Sequence, residues 1–162
     1  MRKHLVPIVI GLLALTVAWG ATGGPASAAA NGRSDIAVGI VRLDGRQENP
    51  DADPDGRGTL AYAAFDSRFC YLLTARNIEP STAAHIHVGA PEVNGPIVIA
   101  LIAPTGGFSA DCIKAVPDGS LENGPEVLLQ SELDAIIATE SDFYVNVHNA
   151  TFPGGAIRAQ LR

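Results

Sequence analysis

The sequence predicts an all-β domain, either an immunoglobulin-like sandwich or a Greek-key β-barrel of about seven to eight strands, with one short helix near residues 130–140. Three observations carry that expectation. Apolar runs of strand length recur along the chain, separated by Gly, Pro and Asp. A single stretch, with Leu128, Leu129, Leu133, Ile136 and Ile137, has helical instead of alternating spacing. Cys70 and Cys112 are the only cysteines, an even count that suits one bridge.

The chain opens on what reads as a signal peptide, residues 1–28. Arg2, Lys3 and His4 form a positive start, Leu5 to Trp19 is almost wholly apolar, and Ala26-Ser27-Ala28 offers small residues for cleavage. The apolar run is short for a membrane span of about 20 residues, and no second one follows. We therefore expect a secreted, extracellular protein with no membrane span after signal cleavage. Residues 29–35 read as a flexible arm and residues 36–162 as one domain.

Within that domain, strands are expected over 36–43, 58–65, 69–77, 83–88, 96–103, 143–148 and 156–161. Gly106 to Pro125 is rich in turn residues and reads as a long surface loop tied down by Cys112. Ser131 with Asp134 resembles a capping box at the start of the helix.

Removing residues 1–28 from the 162 leaves 134, a comfortable size for one core. Arg2 and Lys3 leave with the peptide, so 9 basic side chains face 17 acidic ones. That balance argues against nucleic acid or an anionic membrane as partner and mildly favours cations. In an oxidising compartment Cys70 and Cys112 are expected to pair in a structural disulfide. Closing a loop of about 42 residues is worth roughly 4 kcal/mol in the chain-entropy model.

The histidines are concentrated. His85 and His87 lie in Ala83-Ala84-His85-Ile86-His87-Val88, and His148 lies in Tyr144-Val145-Asn146-Val147-His148-Asn149; His4 is in the leader. Residues two apart on a strand share a face, so His85 and His87 point one way while Tyr144, Asn146 and His148 share one face of theirs. If the two strands are neighbours, the three imidazoles converge, and copper or zinc suits such a nitrogen set. The competing reading is a polar fixture of a β-sheet. The sequence shows no obvious fourth protein ligand, although the fold could bring Glu92, Glu48 or Asp142 close; Tyr144 or Asn146 would stand behind the first three.

Other motifs carry less. Asp51-Ala52-Asp53-Pro54-Asp55-Gly56 opens like a calcium loop, but Tyr62 stands where the bidentate Glu belongs, so an Asp-rich turn is expected. There is no G-x-S-x-G elbow, no Gly-rich phosphate loop and no H-E-x-x-H, and the sequence leans away from an enzyme. Asn149-Ala150-Thr151 matches a glycosylation sequon.

At the histidine segments the sequence resembles the CHRD domain, a family named after chordin. The resemblance rests on Thr82 to Ala90 with Asn94-Gly95-Pro96-Ile97-Val98, and on Tyr144 to Asn149 with Phe152-Pro153-Gly154-Gly155-Ala156-Ile157-Arg158-Ala159-Gln160-Leu161. Leu43-Asp44-Gly45, Gln47-Glu48-Asn49-Pro50 and Gly58-Thr59 fit as well. It departs from the family at Ala156, Ala159 and Val93, where Glu, Gly and Gly are usual. The resemblance implies an immunoglobulin-like or Greek-key fold and an exported protein, and little about activity. More distantly, H-x-H followed by V-x-H is similar to the copper ligands of copper-zinc superoxide dismutase. That likeness implies His85, His87 and His148 as ligands, without the bridging histidine or the zinc loop.

Two readings follow. The first is a non-catalytic extracellular binding or structural module that contacts another protein, a polysaccharide or a cell-surface component. The second is a mononuclear copper or zinc protein built on His85, His87 and His148, with redox work as one use of copper. Hydrolysis by paired carboxylates has no positive signal.

Overall fold

The structure, a computed structural model, describes residues 35–120 and 127–162. The expected signal peptide, the arm up to residue 34 and residues 121–125 of the expected loop lie outside the described residues. Eight described strands form one antiparallel sheet: β1 (Ile36–Asp44), β2 (Arg57–Phe65), β3 (Arg68–Arg76), β4 (Ser81–Val88), β5 (Ile97–Leu101), β6 (Phe108–Lys114), β7 (Phe143–Asn149) and β8 (Ile157–Gln160). Their spatial order is β5-β4-β7-β8-β1-β2-β3-β6.

β6 returns to lie beside β3 although β4 and β5 intervene in sequence, a Greek-key connection. The two ends of the sheet approach each other at Ile102. Its N–H donates to the Tyr71 hydroxyl at 2.8 Å, and its carbonyl accepts from Ser109 Oγ at 2.7 Å. The sheet is thus curled into a nearly closed barrel, which leaves little open edge.

Alternation builds the interior. Leu60, Tyr62 and Ala64 on β2 and Phe69, Tyr71, Leu73 and Ala75 on β3 are buried, while the residues between them face outward. Tyr62 and Phe69 stack at 5.8 Å, and the Tyr62 hydroxyl ties down the chain end by donating to the Arg162 carbonyl at 3.2 Å. From the other side of the barrel come Ala84, Ile86, Ile99, Val145, Val147 and Ile157, all fully or nearly fully buried. The seven strands read from the sequence are present with ends shifted by at most two residues, which is the usual scatter of strand ends.

Two expectations need correction. The segment read as a long loop contains β6, paired with β3 from Arg68↔Lys114 to Thr74↔Phe108. As an edge strand it buries Ser109 alone, so it lacks the apolar alternation by which interior strands are recognised. Pairing with β3 makes it a strand.

The helix α1 (Gln130–Ala138) is present and buries Leu133 and Ile136 at the β1–β2 end. Its cap is different. Glu132 accepts from the Leu129 N–H at 2.9 Å, whereas Ser131 is already inside the first turn and donates to Asp118. A bridge between Val116 and Leu129 draws the chain in and sets that start.

Cys70 and Cys112 are bonded, and they sit directly opposite each other on β3 and β6. The bridge pins the edge strand to the barrel. Replacing both by serine is expected to lower unfolding free energy by about 2–4 kcal/mol. Denaturant melts under non-reducing conditions check the size, and faster amide exchange confined to 108–114 and its β3 partners checks the place.

Candidate metal centre

β4 and β7 are adjacent and antiparallel, with Ala83 opposite His148, His85 opposite Asn146, and His87 opposite Tyr144. Ala84, Ile86, Val145 and Val147 take the inner face, so the histidines, Tyr144 and Asn146 share the outer one. His87 and His148 are buried there and His85 is half-buried. A β-bulge where β5 meets β4 at Ile86/His87 offsets the pairing beside the cluster.

The three imidazoles come together as the shared face requires. His85 lies 5.6 Å from His87 and 4.8 Å from His148, centroid to centroid. One nitrogen from each ring lies within 4.8 Å of the others. His85 Nδ1 and His148 Nε2 are 3.0 Å apart. Two nitrogens at that spacing, each about 2.0–2.1 Å from a common ion, subtend roughly 95° there, a normal angle between neighbouring ligands.

Hydrogen bonds set two of the rings. His87 Nδ1–H donates to the Gly95 carbonyl at 2.9 Å, and His148 Nδ1–H donates to the Pro153 carbonyl at 3.0 Å. In the neutral rings both Nε2 atoms therefore carry lone pairs, and both point into the cluster. Gly95 must be glycine, because a Cβ there would overlap the Val88 carbonyl.

Asn146 sits between them, its Oδ1 3.1 Å from His87 Nε2 and 3.0 Å from His148 Nε2. An amide oxygen facing two ring nitrogens suits a shared cation or an imidazolium, whereas two bare nitrogens with no cation call for the amide turned over, so that its NH₂ donates to them. Asn146 is thus part of the cluster itself, closer than the supporting place its sequence position suggested.

Burial governs the charge state. It pushes the His85 imidazolium pKa down to about 4, helped by the neighbouring charges of His148 and His87. His87 is lowered by burial too, against the opposing hydrogen bonds to Gly95 and Asn146, with Arg158 adding to the lowering. His148 is lowered by burial against its bond to Pro153, with His87 adding to the lowering. At neutral pH all three rings are neutral, which is the form that binds metal.

A column of side chains backs the site. Tyr144 stacks on His87 at 4.7 Å with ring planes 3° apart, and the Arg158 guanidinium lies 3.4 Å from the centre of the Tyr144 ring. Tyr144's hydroxyl accepts from the Gly95 N–H at 3.2 Å, so one loop residue orients both His87 and Tyr144. Arg158 is 1% exposed. Its place on the outer face follows from alternation on β8, but its burial depends on loops that fold over the sheet.

Among the described residues the metal-capable cluster is His85, His87 and His148; it does not include Glu48, Glu92 or Asp142. The Asp51–Gly56 segment is a turn. Asp53 Oδ1 accepts from the Gly56 N–H at 2.8 Å and the Asp55 N–H at 3.2 Å, which uses the carboxylate locally. Asn149 is buried and its Oδ1 accepts from the Phe152 N–H at 2.7 Å, so the folded chain does not present the sequon.

A family model described as CHRD domain matches residues 40–161. The chain belongs to the CHRD family. The CHRD match runs from β1 to Leu161 and contains all three histidines, Asn146, Tyr144 and Arg158. No curated protein and no solved structure matches the chain. The disulfide of this CHRD domain fits an oxidising compartment.

Two groups of the domain make opposite contributions to acid stability. His85, depressed from 6.5 to about 4, contributes stability that is present above pH 6.5 and lost as pH falls toward 4. Glu48, raised by burial from 4.5 to about 7 against the attraction of Arg158, contributes stability that is present below pH 4.5 and lost as pH rises toward 7. Glu48 therefore partly offsets the acid sensitivity that His85, His87 and His148 share. In chelator, urea midpoints of His85→Gln should fall less on acidification than those of wild type, and those of Glu48→Gln should fall more.

Proposed function

We propose that this is an exported, non-catalytic CHRD module that holds one copper or zinc ion on His85, His87 and His148. The convergence of two lone-pair nitrogens, each oriented by an N–H bond from the far side of its ring to a backbone carbonyl, carries the reading. A sheet fixture needs its histidines satisfied. It does not need three neutral rings aimed at one point and kept neutral by burial. An ion held there would find Asn146 Oδ1 already facing the two Nε2 atoms, and His85 would offer Nδ1 by carrying its proton on Nε2. The disulfide and the apolar leader support export.

The barrel also offers a surface for a partner. Ile36, Val38 and Ile40 on β1, Leu72 on β3 and Phe108 on β6 are exposed, Ile40 by 71% and Phe108 by 67%. The register Ile40↔Ala61↔Leu72↔Ala110 sets Ile40 and Leu72 on one outward face with alanines between and beyond them. That apolar face favours contact with an extracellular protein, a polysaccharide or a cell-surface component.

Titration of the purified protein with Cu²⁺ and Zn²⁺ separately, followed by calorimetry, tests the metal reading. One equivalent is expected to bind. His85→Ala and His148→Ala should each weaken it by roughly 100-fold or more, and Asn146→Ala by about 10–100-fold. Equal weak binding in all variants would leave the histidines as a hydrogen-bonded fixture of the sheet.

For the apolar face, Ile40→Asp combined with Leu72→Asp should change stability by less than about 1 kcal/mol, since both sites are exposed. Binding of labelled protein to intact cells and to wall polysaccharide should fall at least ten-fold. Unchanged binding would remove the partner role from this face.

A further inference from the structure

A buried acid lies outside the histidine cluster and takes no part in it. Between the turn after β1 and the β7–β8 loop the fold leaves a cleft of about 310 Å³, whose lining includes Glu48, Asn49, Pro50, Asp51, Phe152 and Gly155. All of these but Asp51 fall in two of the segments that mark the family, Gln47–Pro50 and Phe152–Leu161, and the histidine cluster does not include them. The Glu48 side chain is 6% exposed, and its Oε1 has no hydrogen-bond partner. Gly155 has φ 137°, and a Cβ there would overlap the Glu48 carboxylate, so the glycine makes room for the acid.

Arg158 is near enough to stabilise the ionised form, but its hydrogen bonds go to Asn94 Oδ1 at 3.4 Å and the Ala90 carbonyl at 3.0 Å. Burial outweighs it and holds the Glu48 carboxyl near 7. A buried acceptor left open is costly unless something donates to it.

The chemistry of the cleft is one-sided. Its side-chain donors are already engaged within the protein: Asn49 Nδ2 on the Glu92 carbonyl at 2.5 Å, Asn94 Nδ2 on the Asn49 carbonyl at 2.7 Å, and the Thr151 hydroxyl on Glu79 at 2.6 Å. The carboxylates of Glu48 and Asp51 remain as acceptors, beside the ring of Phe152 and two prolines. A sugar hydroxyl needs donors as well as acceptors around it, whereas an ammonium group only donates.

We propose that this cleft binds a small organic ammonium ion, with its NH₃⁺ group on Glu48, Asp51 at the lip and its apolar body against Phe152 and the prolines. The cleft volume suits a single ring or a short chain. The ring of Phe152 adds a cation–π face. The proposal does not rest on the metal reading, because none of the three histidines lines the cleft; the two sites are joined through Arg158 and through the loops that carry Asn94, Gly95 and Pro153.

The test uses benzylammonium chloride and neutral benzyl alcohol, titrated separately into isotope-labelled protein in chelator, with backbone amides followed by NMR. Benzylammonium should shift the amides of residues 47–52 and 151–155 with a Kd of about 1–10 mM, and benzyl alcohol should bind at least roughly ten-fold more weakly. Glu48→Gln, equal in volume, should remove that preference. Asp51→Asn, at the exposed lip, should reduce it about two- to five-fold and gives a second reading that does not perturb the interior. Equal binding of the two probes, shifts centred elsewhere, no saturable shift up to roughly 50 mM benzylammonium, or an unaltered preference in both variants would overturn the proposal.

Discussion

The antiparallel pairing of β4 with β7 is the constraint on which the rest of the structure depends. With Ile86 opposite Val145 and Ala84 opposite Val147, apolar pairs fill the barrel. The same register sets His85 opposite Asn146 and His87 opposite Tyr144 on the far side. Because side chains alternate, a slip of one residue would turn the histidines into the core and expose Ile86. Burial of the inner face therefore specifies the geometry of the outer face, and the site needs no separate scaffold.

The outer face of a barrel strand ordinarily meets water, but here the two loops around residues 89–96 and 149–156 cover it. Polar groups beneath them must find partners, and the loop carbonyls provide these. Gly95 serves His87, Pro153 serves His148, Ala90 serves Arg158, and Gly89 accepts from Gln160 Nε2 at 2.7 Å. The dependence is mutual, since the buried side chains hold the loops that bury them. Across the barrel, among the described residues, Ile36, Val38, Ile40, Leu72 and Phe108 of β1, β3 and β6 stay exposed. One half of the barrel is thus organised around polar groups withdrawn from water, and the other around an apolar surface left in it.

How far the sequence could be read depended on where each element packs. The strands 36–43, 58–65 and 69–77 were legible because one of their faces is buried, which stamps alternation on the residues. β6 was not, because an edge strand with one buried residue carries almost no pattern. The helix was legible from its spacing, but its first residue was not, because a bridge from Val116 and the Glu132 carboxylate decide it. The three histidines were visible as sharing faces, whereas nothing local showed that Arg158 and Glu48 are buried.

By itself, then, the sequence determined an all-β domain with one helix, a CHRD signature, a cysteine pair and two strands each carrying histidines on one face. Local periodicity and composition suffice for these, since they depend on which residues face inward and not on what they meet. Tertiary structure alone decided that the two histidine strands are neighbours and that two imidazoles aim their lone pairs at Asn146. It also decided that Glu48 is buried with an unpartnered oxygen beside Gly155. Those facts depend on contacts between residues tens of positions apart. Loop closure and packing around the whole barrel select such contacts, and no local pattern encodes them.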